Sequence, residues 1–253
     1  MNTSPNKSWH KSHTFSLSPG TTIGVVSDIH ANNVALDAVL DDMDVDYLIN
    51  LGDVVGYGPH PQETFTRMMT EADINIRGNH DNNVPDPAYS QSNQQAHQGL
   101  VHAKNELTDG QIETVSTLPH MATVNDRFVF AHSHPNQPAQ RGTYVTDKNL
   151  TTLQSDFERT GADIIGVGHS HIQLNTEISK YGANESFPRV VLNPGSVGQP
   201  RDNDHRPSYA VITIGNGETF SITHHRVEYD YQSVIDDIAD AGLPRGTGER
   251  LRP

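Results

Sequence analysis

Short apolar runs alternate with helical spacings over the first part of the chain, and extended runs dominate the last part. "TTIGVVSDIH" reads as a strand with a turn behind it, and "NNVALDAVLDDM" carries Val34, Leu36, Ala38, Val39 and Leu40 at helical intervals. "VDYLINLGD" is the next strand. "PQETFTRMMTEA" is a helix with Pro61 in its first turn, and "DINIRGNHD" closes a strand, helix, strand, helix, strand series. Between Asn82 and Asp126 the pattern is polar and predicts two helical pieces, the second opened by Thr108 and Gln111 at capping-box spacing despite Gly110. "RFVFAH", a helix near "KNLTTLQSDFERT" and the strand "ADIIGVGHSH" follow. Then come "RVVLNPGSV" and a hairpin of "SYAVITI" and "TFSITHHRVEY" turning at "GNG", before a last helix near "QSVIDDIADAG" that ends at Gly242. The first twenty residues are rich in Ser, Thr, Asn and Pro, which predicts a mobile tail over 1–20 and a single domain over 21–253.

Composition narrows the function classes. The 253 residues include 17 Lys plus Arg against 31 Asp plus Glu, a net charge of −14. Such a field opposes phosphate backbones, so general nucleic-acid binding is disfavoured, and the same surplus suggests a halophilic protein whose self-repulsion is screened by salt. Cysteine is absent, so any metal must be held by nitrogen and oxygen. No apolar run approaches the ~18 residues of a spanning helix and no signal-peptide stretch opens the chain, which predicts a soluble, cytoplasmic protein.

Potential ligands fall at regular places in this pattern. Asp28 and His30 follow "IGVVS", Asp53 follows "YLINLG", Asn79 and His80 follow "INIRG", His132 follows "FVFA", and His169 and His171 follow "IIGVG". In a largely parallel sheet the carboxyl ends of strands share one edge, so these groups should converge. Asp, Asn and His together suit Mn, Fe, Ni, Co or Zn better than Ca or a bare Mg ion. They are too many for one tetrahedral site. Two ions roughly 3.5–4 Å apart and sharing a carboxylate fit the count, an arrangement that holds a phosphoryl group and activates a water.

The ordered motifs Asp28-Ile-His30, Gly52-Asp53, Gly78-Asn79-His80-Asp81, His132 and Gly168-His169-Ser-His171 resemble the calcineurin-like metallophosphoesterase superfamily. "GDVVGYGPHP" and "NPGSVGQPRD" are similar to its small single-domain prokaryotic branch, and the likeness runs from about Thr21 to the C-terminal helix. It implies an α/β (α+β) sandwich of two mixed β-sheets packed face to face and flanked by helices, with a dimetal site at the strand edge. It also implies that Asp28, His30 and His171 hold one divalent ion, that Asn79, His132 and His169 hold the other, and that Asp53 bridges them. Manganese is the first choice of metal. His80 would then assist the chemistry by stabilising charge or protonating the leaving oxygen, with Asp81 orienting it. The implied activity is hydrolysis of a phosphodiester or pyrophosphate-type bond in a small phosphorylated molecule by a bridging hydroxide.

Two departures from the family pattern are visible, Ala31 where Gly is frequent and His132-Ser133-His134 where His-Gly is frequent, and the second makes His134 a rival to His132. Arg77 and Arg201 are candidates for a phosphate clamp or for structural ion pairs. Ser196 lacks the first Gly of a nucleophile elbow, and "DMDVDY" has Tyr47 where a calcium loop needs Gly. Two rival classes are a non-catalytic binding scaffold with the same fold and a binuclear amidohydrolase barrel. The barrel would need eight βα units, which the strand-rich C-terminal part does not supply. Specificity is expected from the loops Asn82 to Gln98 and Pro135 to Thr146.

Overall fold

The computed structural model describes residues 10–136, 142–178 and 189–253. Its first elements are β1 (His10–His13), β2 (Thr22–Val26), α1 (Asn33–Asp42), β3 (Tyr47–Asn50), α2 (Pro61–Glu71), β4 (Ile74–Asn75) and α3 (Asn79–Asn83). They are followed by α4 (Gln94–Glu106), α5 (Asp109–Ser116), β5 (Met121–Val124), β6 (Phe128–Ala131), α6 (Gln154–Thr160) and β7 (Ile164–Gly166). The remainder is β8 (Gln173–Ile178), β9 (Arg189–Pro194), β10 (Ser208–Ile214), β11 (Phe220–Arg226), α7 (Tyr231–Asp240) and α8 (Arg245–Glu249). Single 3₁₀ turns occupy Pro87–Ser90 and Leu150–Leu153.

The strands form two mixed sheets, as the motif resemblance implies. One has the order β11-β10-β2-β3-β4, with β2, β3 and β4 parallel and β10 antiparallel to both neighbours. The other has the order β1-β5-β6-β7-β9-β8, with β6, β7 and β9 parallel. Period-two alternation explains how each sheet is covered twice. In β6, Phe128 and Phe130 join Ile23, Val25, Ile49, Leu51, Ile164 and Ile212 between the sheets. Val129 turns outward to Leu153 and Phe157, which belong to the Leu150–Leu153 turn and α6. On the far face of the five-stranded sheet, Val26 and Leu48 pack with Leu36 and Val39 of α1, Phe65 and Met68 of α2, and Leu100 of α4.

Three parts of the chain differ from the sequence expectation. The mobile tail predicted over 1–20 is wrong for residues 10–20. His10–His13 forms β1, parallel to β5, and Phe15 is buried against the Tyr47 ring at 3.9 Å, while residues 1–9 lie outside the described residues. The Asn125 side chain fixes the backbone here, accepting from Phe15 N (2.8 Å) and donating to Phe15 O (3.0 Å). Between Asn82 and Asp126 the helices α4 and α5 are present, with the Thr108–Gln111 capping box in place, but the segment also contains β5. The polar strand β8 and the short helix α8 carry no pattern that announced them.

Candidate metal centre

The carboxyl ends of β2, β3 and β4 in one sheet meet those of β6 and β7 in the other. Tight turns follow these strands, and much of their backbone is left-handed. Asp28, His30, Asp53, His169 and His171 have φ between 49° and 67°, as do Ala31 and Tyr57. Non-glycine residues adopt this region at a cost, and its concentration here is typical of sites whose side chains must be aimed. Gly78 shows how closely the turns approach, since a Cβ there would lie 2.0 Å from Asp53 Oδ1.

Ligand atoms of Asp28, His30 and His171 lie within 4.8 Å of one another, as do those of Asp53, His132 and His169. Asn79 Oδ1 is 3.1 Å from His132 Nε2, which brings it into the second group. Asp53 Oδ2 stands 3.7 Å from His30 Nε2 and 3.3 Å from His132 Nε2, between the two groups. All seven side chains that the resemblance assigns to the ions therefore converge.

Hydrogen bonding decides which imidazole nitrogen faces inward. Nδ1 of His30, His132 and His171 reaches the carbonyls of Val55 (3.3 Å), Leu51 (2.9 Å) and Gln199. A carbonyl accepts only, so each Nδ1 carries a proton and each Nε2 is the nitrogen turned to the centre. His169 is reversed: its Nε2 donates to Gly142 O at 3.1 Å. His30 Nε2 and His171 Nε2 face each other at 3.1 Å, close enough for one cation to lie against both. Asp28 Oδ2 accepts from Ser27 Oγ (2.6 Å) and His169 N (2.9 Å), whereas its buried Oδ1 faces Nε2 of His171 (3.2 Å), His30 (3.7 Å) and His132 (3.9 Å). Buried carboxylate oxygens set among inward-facing imidazole nitrogens fit a pair of divalent cations.

The protonation energetics point the same way. Burial disfavours charge on His132, yet the carboxylates of Asp53 and Asp28 outweigh it and push the imidazole up to about 9. Burial alone raises Asp28 and Asp53, and the neighbouring imidazoles, His171 and His132 respectively first among them, hold both carboxyls below their usual range. Burial lowers His80 and His169 to about 4.

His80 lies beside these groups, its ring 4.8 Å from His30 and 4.6 Å from Tyr57, and its backbone N donates to Asp53 Oδ1 at 2.7 Å. The expected orientation of His80 by Asp81 is not what the geometry holds. Asp81 accepts from the backbone amides of Asp53 (2.8 Å), Val54 (3.0 Å), Val55 (3.3 Å) and Gly78 (2.9 Å), while His80 Nδ1 has no hydrogen-bond partner. Asp81 thus fastens the turn that carries Asp53 to the start of α3, and His80 is kept in place by packing. Gly56 allows it, since a Cβ there would fall 2.2 Å from His80 Nδ1. His134 is turned away from the centre, with Nε2 on Thr152 O (2.8 Å) and Nδ1 on Asp156 (3.2 Å). Arg77 donates to Ser116 O, whereas Arg201 reaches the cavity above the centre.

That cavity, about 600 Å³, is lined by Asp53, Asn79, His80, His169 and His171 at its floor, with Tyr57, Tyr89, Tyr144 and Arg201 above them. The three tyrosines were not singled out from the sequence. "GYG" around Tyr57 offered a hint of a special turn, while Tyr89 and Tyr144 stand in polar loops with nothing to mark them.

The chain is similar to known proteins in sequence and in structure. An uncharacterized protein of Methanocaldococcus jannaschii is 31% identical over 243 residues, which cover 90% of this chain and 96% of the relative. A probable metallophosphoesterase of Mycoplasma genitalium is 24% identical over 140 residues, 50% of this chain and 78% of its own. The crystal structure of a metallophosphoesterase from Sphaerobacter thermophilus superposes with a TM-score of 0.75 at 30% identity, over 92% of this chain and 98% of that one. Residues 22–217, which span every converging side chain, match the calcineurin-like phosphoesterase superfamily domain, and the chain belongs to that superfamily.

Proposed function

We infer that this metallophosphoesterase hydrolyses phosphodiester or pyrophosphate-type bonds in small phosphorylated molecules with two divalent ions, manganese first among the candidates. The observation that carries the reading is the pair of donor clusters hinged on Asp53, with imidazole Nε2 atoms facing inward. Asp28, His30 and His171 would hold one ion, Asn79, His132 and His169 the other, and Asp53 both. When bound, such a pair supplies Lewis acidity toward a phosphoryl group and a nucleophilic water at neutral pH.

The remaining roles belong to the chain itself. The Nδ1 protons given to backbone carbonyls hold the imidazoles in one tautomer, so no ring has to turn over during turnover. Asp81 fixes Asp53 through backbone amides. His80 lines the cavity beside the donor clusters, which places its ring to donate to a phosphoryl or leaving oxygen. The cavity volume suits a small molecule, and the charge of −14 disfavours a long polyanion.

The test uses chelator-stripped full-length protein refilled with manganese, given bis(4-nitrophenyl) phosphate and 4-nitrophenyl phosphate in parallel. Turnover restored by metal, faster on the diester, is the expected result. Folded, metal-loaded protein that hydrolyses neither would overturn the reading in favour of a binding scaffold.

A further inference from the structure

The cavity above the centre carries features that phosphoester hydrolysis alone leaves unused. Arg201 is the first. Its backbone N donates to His171 O (3.1 Å), which ties it to the turn carrying that imidazole. Its guanidinium donates to Gln199 Oε1 (2.9 Å) and the Tyr144 hydroxyl (3.3 Å), lies 5.9 Å from the Tyr57 ring centre, and keeps Nε buried without a partner. No described carboxylate pairs with it. Arg67, Arg127, Arg159, Arg206, Arg226 and Arg245, by contrast, each pair with Asp or Glu. In a chain with a net charge of −14, a cavity guanidinium held only by neutral partners is kept for an anion arriving from solvent.

The second feature is aromatic. Among the described residues four large hydrophobic side chains are exposed, Tyr89, Val101, Tyr144 and Ile172, and the two tyrosines, at 52% and 49%, both line this cavity. They come from separate segments, Tyr89 from the Pro87–Ser90 turn and Tyr144 from the stretch before the Leu150–Leu153 turn. Tyr144 reaches inward to within 4.5 Å of the His169 ring. An open aromatic face beside an anion site gains from being covered by a flat ring, and the polar side chains of Ser90 and Ser92 nearby offer partners for the edge of that ring.

We propose that the cavity is a nucleotide site, in which Arg201 grips an oxygen of the phosphoryl group and the nucleobase stacks on Tyr144, with Tyr89 closing the other side. The substrate class is then a nucleoside phosphodiester. This rests on the hydrolytic reading above but can fail separately from it.

The test is calorimetric binding of adenosine 5′-monophosphate and ribose 5-phosphate, which differ in the base, to the manganese-loaded full chain. The nucleotide should bind at least about 10-fold more tightly. Tyr144→Ala should bring the two affinities together, while Arg201→Gln should weaken both by about 10-fold and preserve their ratio. Tyr144→Leu, which keeps bulk without the aromatic face, serves where the alanine variant does not fold. Equal binding by the unmodified protein, or a ratio untouched by every Tyr144 and Tyr89 substitution, overturns the nucleotide site. Metal-dependent cleavage of bis(4-nitrophenyl) phosphate by the same preparation would then leave the hydrolytic reading standing. A base-dependent ratio without any cleavage would do the reverse.

Discussion

His80 is fastened by its backbone and has no hydrogen bond at Nδ1, and although its ring clusters with His30 and Asp53, the proposed reading sets it apart from the metal donors. His80→Ala should lower kcat by about 10²–10⁴-fold while leaving the metal content, measured by elemental analysis, near that of the parent. Asp53→Ala should instead lose metal, because Asp53 belongs to both donor groups. A subtler change is Gly56→Ala. The new Cβ would fall on His80 Nδ1, and φ of 92° penalises it further, so kcat should fall with both ions retained. The residues with unmistakable donor chemistry at strand ends were legible in the sequence. Asp81 was not read correctly, because a carboxylate that serves backbone amides looks the same in sequence as one that serves an imidazole. Ala31 was noted only as a departure from a frequent glycine, and its φ of 54° supplies the reason for that preference.

At the scale of elements, Asp81 joins the turn after β3 to the first residues of α3. Asp81→Asn puts an amide group where amide donors converge on oxygen. It should cost about 2 kcal/mol, read as a fall in Tm of about 4–8 °C for a chain of this size. Elements were legible where apolar spacing was strong, as in α1 with Leu36 and Val39 or β10 with Ala210, Ile212 and Ile214. They were illegible where backbone pairing alone makes them. The β1 sequence HKSH has no apolar residue, and its place at the sheet edge comes from β5 and from Phe15 downstream. Likewise β8, QLNTEI, alternates half-buried and exposed positions and is held by its long antiparallel pairing with β9.

Across the whole molecule, charge and proton balance set two further outcomes. With a net charge of −14, Tm should rise from dilute buffer to about 2 M KCl as repulsion is screened, and a flat Tm would set the salt-adapted reading aside. Burial, with Arg77 next in effect, lowers His120 to about 4. Between that value and the ordinary ~6.5 the unfolded chain binds a proton that the folded chain does not. Stability therefore rises with pH across this window and is lost as the pH falls through it. His120→Gln should flatten that part of the profile by on the order of 2 kcal/mol in urea denaturation at pH 5 against pH 7.

The donor groups also have a mechanical meaning. Asp28, His30, Asp53 and Asn79 hang from the five-stranded sheet, whereas His132, His169 and His171 hang from the six-stranded one, and each proposed ion takes donors from both. A bound pair is thus a rivet through two laminae at one end of the sandwich. Pulling it with a chelator should leave amides in the middle of β2, β6 and β10 as slow to exchange as before. The bonds at the open end, such as Asp28 N to Gly52 O and Gly168 N to His132 O, should exchange faster. The cell's supply of divalent ions would in that case set the stiffness of one end of the protein.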